Sequence, residues 1–380
     1  MQDFGEMVCP PMKNKPYLIA IFMLICLAGC VTPTLMPTPE AMASATLSPV
    51  PPTLTPTPDE KLKLVKEIQF TDIVYFAWAP DSTAVAMIGQ MEDRRDVIAL
   101  YPLNAEGPKW IVDADFATVL SFTSDGKYVV YLPTNGVLTF LDVETGEIAY
   151  TMKQCTLYSS RIGMAILTDK NKVYTLTNFL NEAEPLPADV YVWDTEAAAC
   201  KHILSTGGIV RSASLNNNGY LLVNLEGAPG IDGSSGMGIR VLDTQSNTVT
   251  CSITSLSCER GVLNPTRNEM MVECNDGLER WDVETCTLKQ KYPEVIKIGR
   301  STIDPEGHIW AALYNRKELL FWSLDTETIL YQMPVTDSIR LIMFDPSGAY
   351  LLTLSSVDPR SLSSTTLRIW QVEFQGTGAN

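Results

Sequence analysis

Along residues 122–152, FTSDGKYVVYLPTNGVLTFLDVETGEIAYTM, short apolar runs alternate with tight polar turns. Turn signals at Ser124-Asp125-Gly126, at 133–136 and at 142–146 cut the stretch into runs of strand length. Such runs are too short for helices between breakers, so the unit reads as a four-stranded antiparallel meander.

The unit recurs seven times. A large apolar residue followed by a polar turn stands at Trp78, Phe122, Leu167, Leu215, Leu263, Ile303 and Phe344, at spacings of 44, 45, 48, 48, 40 and 41 residues. A second column, where an alternating strand ends on a large apolar residue, runs through Tyr101, Leu141, Trp193, Leu242, Trp281, Trp322 and Trp370. Aspartate follows in four copies, at Asp142, Asp194, Asp243 and Asp282. Two columns in phase at this period predict an all-β fold, a seven-bladed β-propeller of four-stranded antiparallel blades. After Trp370 too little chain remains for a fourth strand in the last blade. The stretch LKLVKEI at 62–68 has the right length to supply it by pairing with 367–374, because an open edge would expose unpaired backbone groups.

At Trp193-Asp194 and Trp281-Asp282 the chain resembles the WD40 family, over roughly 62–374. With only His202 and His308 in the chain, the histidine-centred network of true WD40 blades cannot recur in most units. The turns Asp304-Pro305-Glu306-Gly307 and Asp345-Pro346-Ser347-Gly348 resemble bacterial WD40-like repeats of the TolB type. VYTLTN at 173–178 and DVETGEIAY at 142–150 resemble YVTN lactonase-like or quinoprotein-like repeats.

The N-terminus adds a location. Lys13 and Lys15 precede an apolar run at 18–28, too short to span a bilayer and matching a secretory signal. The run ends in Leu27-Ala28-Gly29-Cys30, which resembles the bacterial lipobox. The resemblance implies cleavage before Cys30 and attachment of acyl chains such as palmitate to it, enough for stable anchoring when two or more are present. Met12 is the better start, since it places both lysines at the front. Val31 after the cysteine is no acidic retention signal, so a host with two membranes is expected to send the protein to the outer one. The chain therefore divides into a signal peptide at 1–29, a lipidated Cys30 with a Pro/Thr-rich tether at 30–60, the propeller at 61–375 and a tail at 376–380. The tether holds eight prolines and seven threonines between residues 31 and 59 and is expected to be extended, with no core of its own.

Composition mostly excludes. A net charge of −16 argues against nucleic acid, since phosphate binding needs a basic face. There is no phosphate-cradling glycine loop, zinc-spaced histidine pair or Gly-x-Ser-x-Gly elbow, and no cofactor is expected. His308 falls at a hairpin turn and His202 in an outer strand, places for packing or surface residues rather than general bases. Asp232, within the glycine-rich stretch EGAPGIDGSSGMG, is one carboxylate where a calcium site needs several. Arg94 and Arg95 beside Glu92 and Asp93 read either as an anion contact or as a self-neutralising cluster. Of the six cysteines beyond the anchor, Cys258 and Cys274 are symmetric about the turn at 265–267 and are expected to bond across that hairpin, while the others are left unpaired.

Loops between second and third strands run longer at 90–96, 177–189, 226–238 and 356–366. In WD40-like propellers these loops share a rim with the blade connections. The pair at 177–189 and 226–238 carries Phe179, Leu180, Leu186, Ile231, Asp232 and Met237, an apolar centre with a polar border suited to a protein or peptide partner. The expected function is a non-catalytic binding scaffold held to the cell envelope. The alternative is a hydrolase or lactonase using carboxylates at the channel mouth.

Overall fold

In six of the seven units a short side chain closes the opening turn. Asp81, Asp125, Asn216, Asn264, Asp304 and Asp345 accept backbone N–H bonds from Thr83 (3.0 Å), Lys127 (3.1 Å), Tyr220 (2.8 Å), Arg267 (3.0 Å), His308 (2.7 Å) and Tyr350 (2.6 Å). The aspartates after the second apolar column do the same for the turn into the last strand. Asp142, Asp194 and Asp282 each accept two N–H bonds, at 2.9 and 3.0 Å, 3.0 and 2.8 Å, and 3.0 and 2.9 Å. Those bonds, with Lys289, hold the Asp282 carboxyl at about 2.

A computed structural model describes residues 61–374 except 92, 115–116, 134, 154, 156–160, 180–187, 230–234, 256, 294, 296–297 and 357–364. After β1 (Leu62–Phe70), blade 1 is β2 (Asp72–Trp78), β3 (Ala84–Gln90), β4 (Asp96–Pro102) and β5 (Trp110–Asp113). Blade 2 is β6 (Ala117–Phe122), β7 (Tyr128–Pro133), β8 (Leu138–Asp142) and β9 (Ile148–Met152). Blade 3 is β10 (Arg161–Asp169), β11 (Lys172–Phe179), β12 (Asp189–Asp194) and β13 (Ala199–Ser205). Blade 4 is β14 (Ile209–Leu215), β15 (Tyr220–Pro229), β16 (Ser235–Asp243) and β17 (Thr248–Ser255). Blade 5 is β18 (Cys258–Leu263), β19 (Glu269–Cys274), β20 (Gly277–Asp282) and β21 (Thr287–Tyr292). Blade 6 is β22 (Ile298–Ile303), β23 (Ile309–Tyr314), β24 (Glu318–Ser323) and β25 (Thr328–Pro334). Blade 7 has β26 (Ser338–Phe344), β27 (Tyr350–Ser356) and β28 (Thr365–Val372).

These strands form seven four-stranded antiparallel sheets, so the fold is an all-β seven-bladed propeller. Blade 7 takes its fourth strand from the N-terminus: β1 pairs with β28 from Leu62↔Val372 to Phe70↔Thr365. Arg368 binds Glu67 (2.8 Å) and Asp337 (2.5 Å), and the Ile73 N–H donates to Thr365 Oγ1 (2.7 Å), fastening the joint on both sides.

The core is divided rather than central. Each sheet buries both faces against its neighbours, which yields seven apolar clusters, one per blade interface. The tryptophans of the second column belong to them. Trp193 is fully buried and donates to Thr175 Oγ1 (2.9 Å), and Trp370 donates to Thr353 Oγ1 (3.0 Å).

Strand direction alternates within each blade, so the ring has two unlike faces. The turn face carries the first-to-second and third-to-fourth turns. The connection face carries the second-to-third loops and the links between blades. β1 enters at the turn face, where Lys61 O accepts from Glu373 N (2.9 Å), and delivers the chain to the connection face at Asp72.

Candidate binding face and channel mouth

Between second and third strands lie residues 91–95, 134–137, 180–188, 230–234, 275–276, 315–317 and 357–364, so the longest loops belong to blades 3 and 7. The stretch 226–238 is mostly strand, contrary to expectation. Its Gly and Ser residues are poor strand formers, but pairing continues through Ala228↔Gly236 and Pro229↔Ser235 past a bulge at Gly227, whose φ of 69° glycine tolerates. Met237 therefore sits in β16 opposite Glu226, half-buried, and Phe179 ends β11 opposite Arg161. Leu180, Leu186, Ile231, Asp232 and Cys30 lie outside the described residues. Arg95 is engaged by Asp93 (2.7 Å) and Asp113 (3.2 Å).

The innermost strand of every blade presents its free edge to the axis. Each of these strands carries a β-bulge near its start, on the connection face, between Ile73 and Tyr75, Ala117 and Val119, Gly163 and Ala165, Val210 and Ser212, Cys258 and Arg260, Ile298 and Ser301, and Ile339 and Leu341. A bulge re-aims a side chain and sharpens the local twist. In blades 4 to 7 the bulged residues include Arg211, Glu259, Arg300 and Arg340, so charge gathers at one channel mouth. Arg211 pairs with Glu226. Arg340 stands 3.7 Å from Asp72, whose carboxyl burial pushes up while Arg340 pulls it down.

Blade 5 departs from its siblings one step further in. At that register the first two strands pair Tyr75↔Ile88, Val119↔Leu132, Ala165↔Leu176, Ser212↔Asn224, Ser301↔Ala312 and Leu341↔Leu354 in the other blades, but Arg260↔Glu273 here. The side on which this pair lies follows from alternation. A side chain on Gly261 would meet Leu222 and Ile239 of blade 4, whereas Val262 and Met271 pack with blade 6, so Arg260 and Glu273 face blade 6. There Ser301 Oγ donates to the Glu273 carboxylate. Burial pushes the Glu273 carboxyl up to about 7, against the pull of Arg260 and Arg300. Nε and Nη1 of Arg260 are shut off from solvent without a hydrogen-bond partner. Desolvation lowers the Arg260 pKa, Glu273 opposes that shift, and Arg300 adds to it. These residues do not stand out along the sequence. Superposing the seven repeats at the bulge would have found them, since a charged pair then stands in a column of apolar or small neutral ones.

The disulfides bear on this site. Cys258 and Cys274, opposite each other with Cα atoms 3.8 Å apart, are bonded one step above Arg260↔Glu273 and hold the strand pair that carries it. Two further bonds join cysteines that sequence reasoning leaves unpaired. Cys155–Cys200 joins the link after blade 2 to β13, and Cys251–Cys286 joins β17 to a turn of blade 5. Glu279 lies near the Cys258 and Cys274 sulfurs, but sulfurs bonded to each other are not thiolate ligands, and the Glu279 carboxylate takes Trp281 Nε1 (3.0 Å) and Lys291 Nζ (3.1 Å).

Both histidines serve local contacts. His202 Nε2 lies 3.1 Å from Asp189 and 3.3 Å from Ser205 Oγ, while Ser205 donates to Asp189 (2.6 Å). A triad needs opposite ring nitrogens for acid and nucleophile, so this is not one. His308 Nδ1 lies 2.6 Å from Asp325, which also binds Arg267 (2.5 Å). Compared with protein-family models and with curated proteins, the chain matches none.

Proposed function

We propose that this chain is a lipid-anchored, extracytoplasmic WD40-like propeller, similar in its Asp-Pro-x-Gly turns to the TolB type and in its VYTLTN and DVETGEIAY stretches to YVTN-like repeats, that works as a non-catalytic scaffold for a protein or peptide partner. The observation that carries this reading is the polarity of the ring: the chain enters at the turn face, and the longest loops and the bulged mouth lie on the connection face. A partner would meet the connection face, where the links between blades and the bulges of the innermost strands gather. Three disulfides favour an oxidising compartment, and in a two-membrane host the outer membrane is the destination this reading assigns. Crosslinking from membranes with the full chain as bait tests it, comparing wild type with a variant in which 180–188 and 228–236 are replaced by Asn-Gly turns. A folded, anchored variant that recovers every partner at wild-type yield would remove this face from the function.

A second reading, an extracytoplasmic hydrolase or lactonase, is favoured by one observation: a buried carboxyl near 7 at the channel mouth suits a general acid. Turnover of glycoside or lactone substrates abolished by Glu273→Gln would support it.

A further inference from the structure

We propose that Arg260 and Arg300, at the channel mouth between blades 5 and 6, form a recognition site for an oxyanion group of a ligand, a carboxylate or a phosphate. The site goes beyond the scaffold reading and stands on its own observations. Most buried atoms without partners in the described residues are single indole, hydroxyl or carboxylate atoms, whereas Arg260 contributes two nitrogens of one cation. A buried guanidinium donor without an acceptor is costly, and an acceptor of opposite charge is what relieves it. Glu273 does not serve: its carboxylate takes the Ser301 hydroxyl and acts on Arg260 only through charge. Arg300, exposed on the adjacent bulge, adds a second cation close enough to be felt by Arg260 and Glu273. Glu259 and Glu273 are the acidic groups beside them, and burial pushes the Glu273 carboxyl up to about 7. The Cys258–Cys274 bond fixes the strand pair that carries Arg260. On a chain of net charge −16, two neighbouring arginines at one mouth are not a consequence of general basicity.

The test is calorimetric titration of the full-length chain in detergent with succinate and with inorganic phosphate, against sodium chloride of matched ionic strength. Wild type and Lys127→Gln, on the turn face, are expected to bind at least one of the two anions saturably. Arg260→Gln and Arg300→Gln are expected to weaken that binding by about tenfold or more. Binding of succinate alone identifies a carboxylate ligand, and of phosphate alone a phosphate ligand. If Arg260→Gln fails to fold, the exposed Arg300 still carries the test. The proposal is overturned if neither anion binds wild type above the chloride control, or if the folded arginine variants bind as wild type does.

Discussion

Replacing Glu273 by glutamine should change how stability depends on pH, in a direction that follows from its surroundings. The folded carboxyl titrates near 7 against 4.5 for the free group, because burial outweighs the pull of Arg260 and the Ser301 hydrogen bond. Between those values the folded chain holds a proton that the unfolded chain has released. Stability from this group is therefore complete below pH 4.5 and is lost as pH rises through 7. The loss amounts to about 3 kcal/mol, since each tenfold difference in proton affinity between the folded and unfolded chain is worth about 1.4 kcal/mol. For a propeller of this size that corresponds to roughly 4 to 5 °C in melting midpoint. Glutamine keeps an oxygen for the Ser301 hydroxyl and does not titrate. Wild type should thus melt lower at pH 8 than at pH 5 relative to Glu273→Gln, and the variant should be the more stable protein at pH 8. The assay is thermal melting by tryptophan fluorescence at pH 5, 6, 7 and 8, without reductant. Groups that the two proteins share cancel in the difference. Equal pH profiles for the two proteins, or a difference that grows towards acid, would refute the reasoning.

Ile68→Ala should destabilise by about 2 to 4 kcal/mol, because Ile68 is buried in the interface between blades 7 and 1 on the strand that closes the ring; an unchanged melt would mean the closure is not made by β1. Cys251→Ser with Cys286→Ser removes a link between blades 4 and 5 that spans 35 residues and should cost about 3 to 4 kcal/mol on the chain-entropy account. Peptide mapping without reduction should find Cys155, Cys200, Cys251, Cys258, Cys274 and Cys286 protected, and alkylation of any of them contradicts the pairing. Cys30→Ser should abolish labelling with palmitate and leave unprocessed precursor, and a wild-type protein that never takes up label ends the lipoprotein reading.

What was legible in the sequence was local or periodic. Asn and Asp at the turns, the apolar column from Tyr101 to Trp370 and the 40 to 48 residue period determine blade count and strand order, because each blade is built from neighbouring residues joined by short turns. The β1–β28 closure followed from counting strands, and Cys258–Cys274 from symmetry about one hairpin. Only tertiary structure decided the rest. Cys155–Cys200 and Cys251–Cys286 depend on how a link or turn of one blade meets the outer strand of another, which no spacing encodes. Residues 226–229 and 235–238 are strand because cross-strand bonds outweigh the low propensity of their glycines. Arg260, Glu273 and Arg300 read as ordinary polar positions along their strands. Ring closure turns one face of blade 5 onto blade 6, buries the carboxyl, encloses the guanidinium and brings the second arginine alongside. Burial and charge at that mouth are properties of two sheets packed together, and neither sheet's sequence contains them alone.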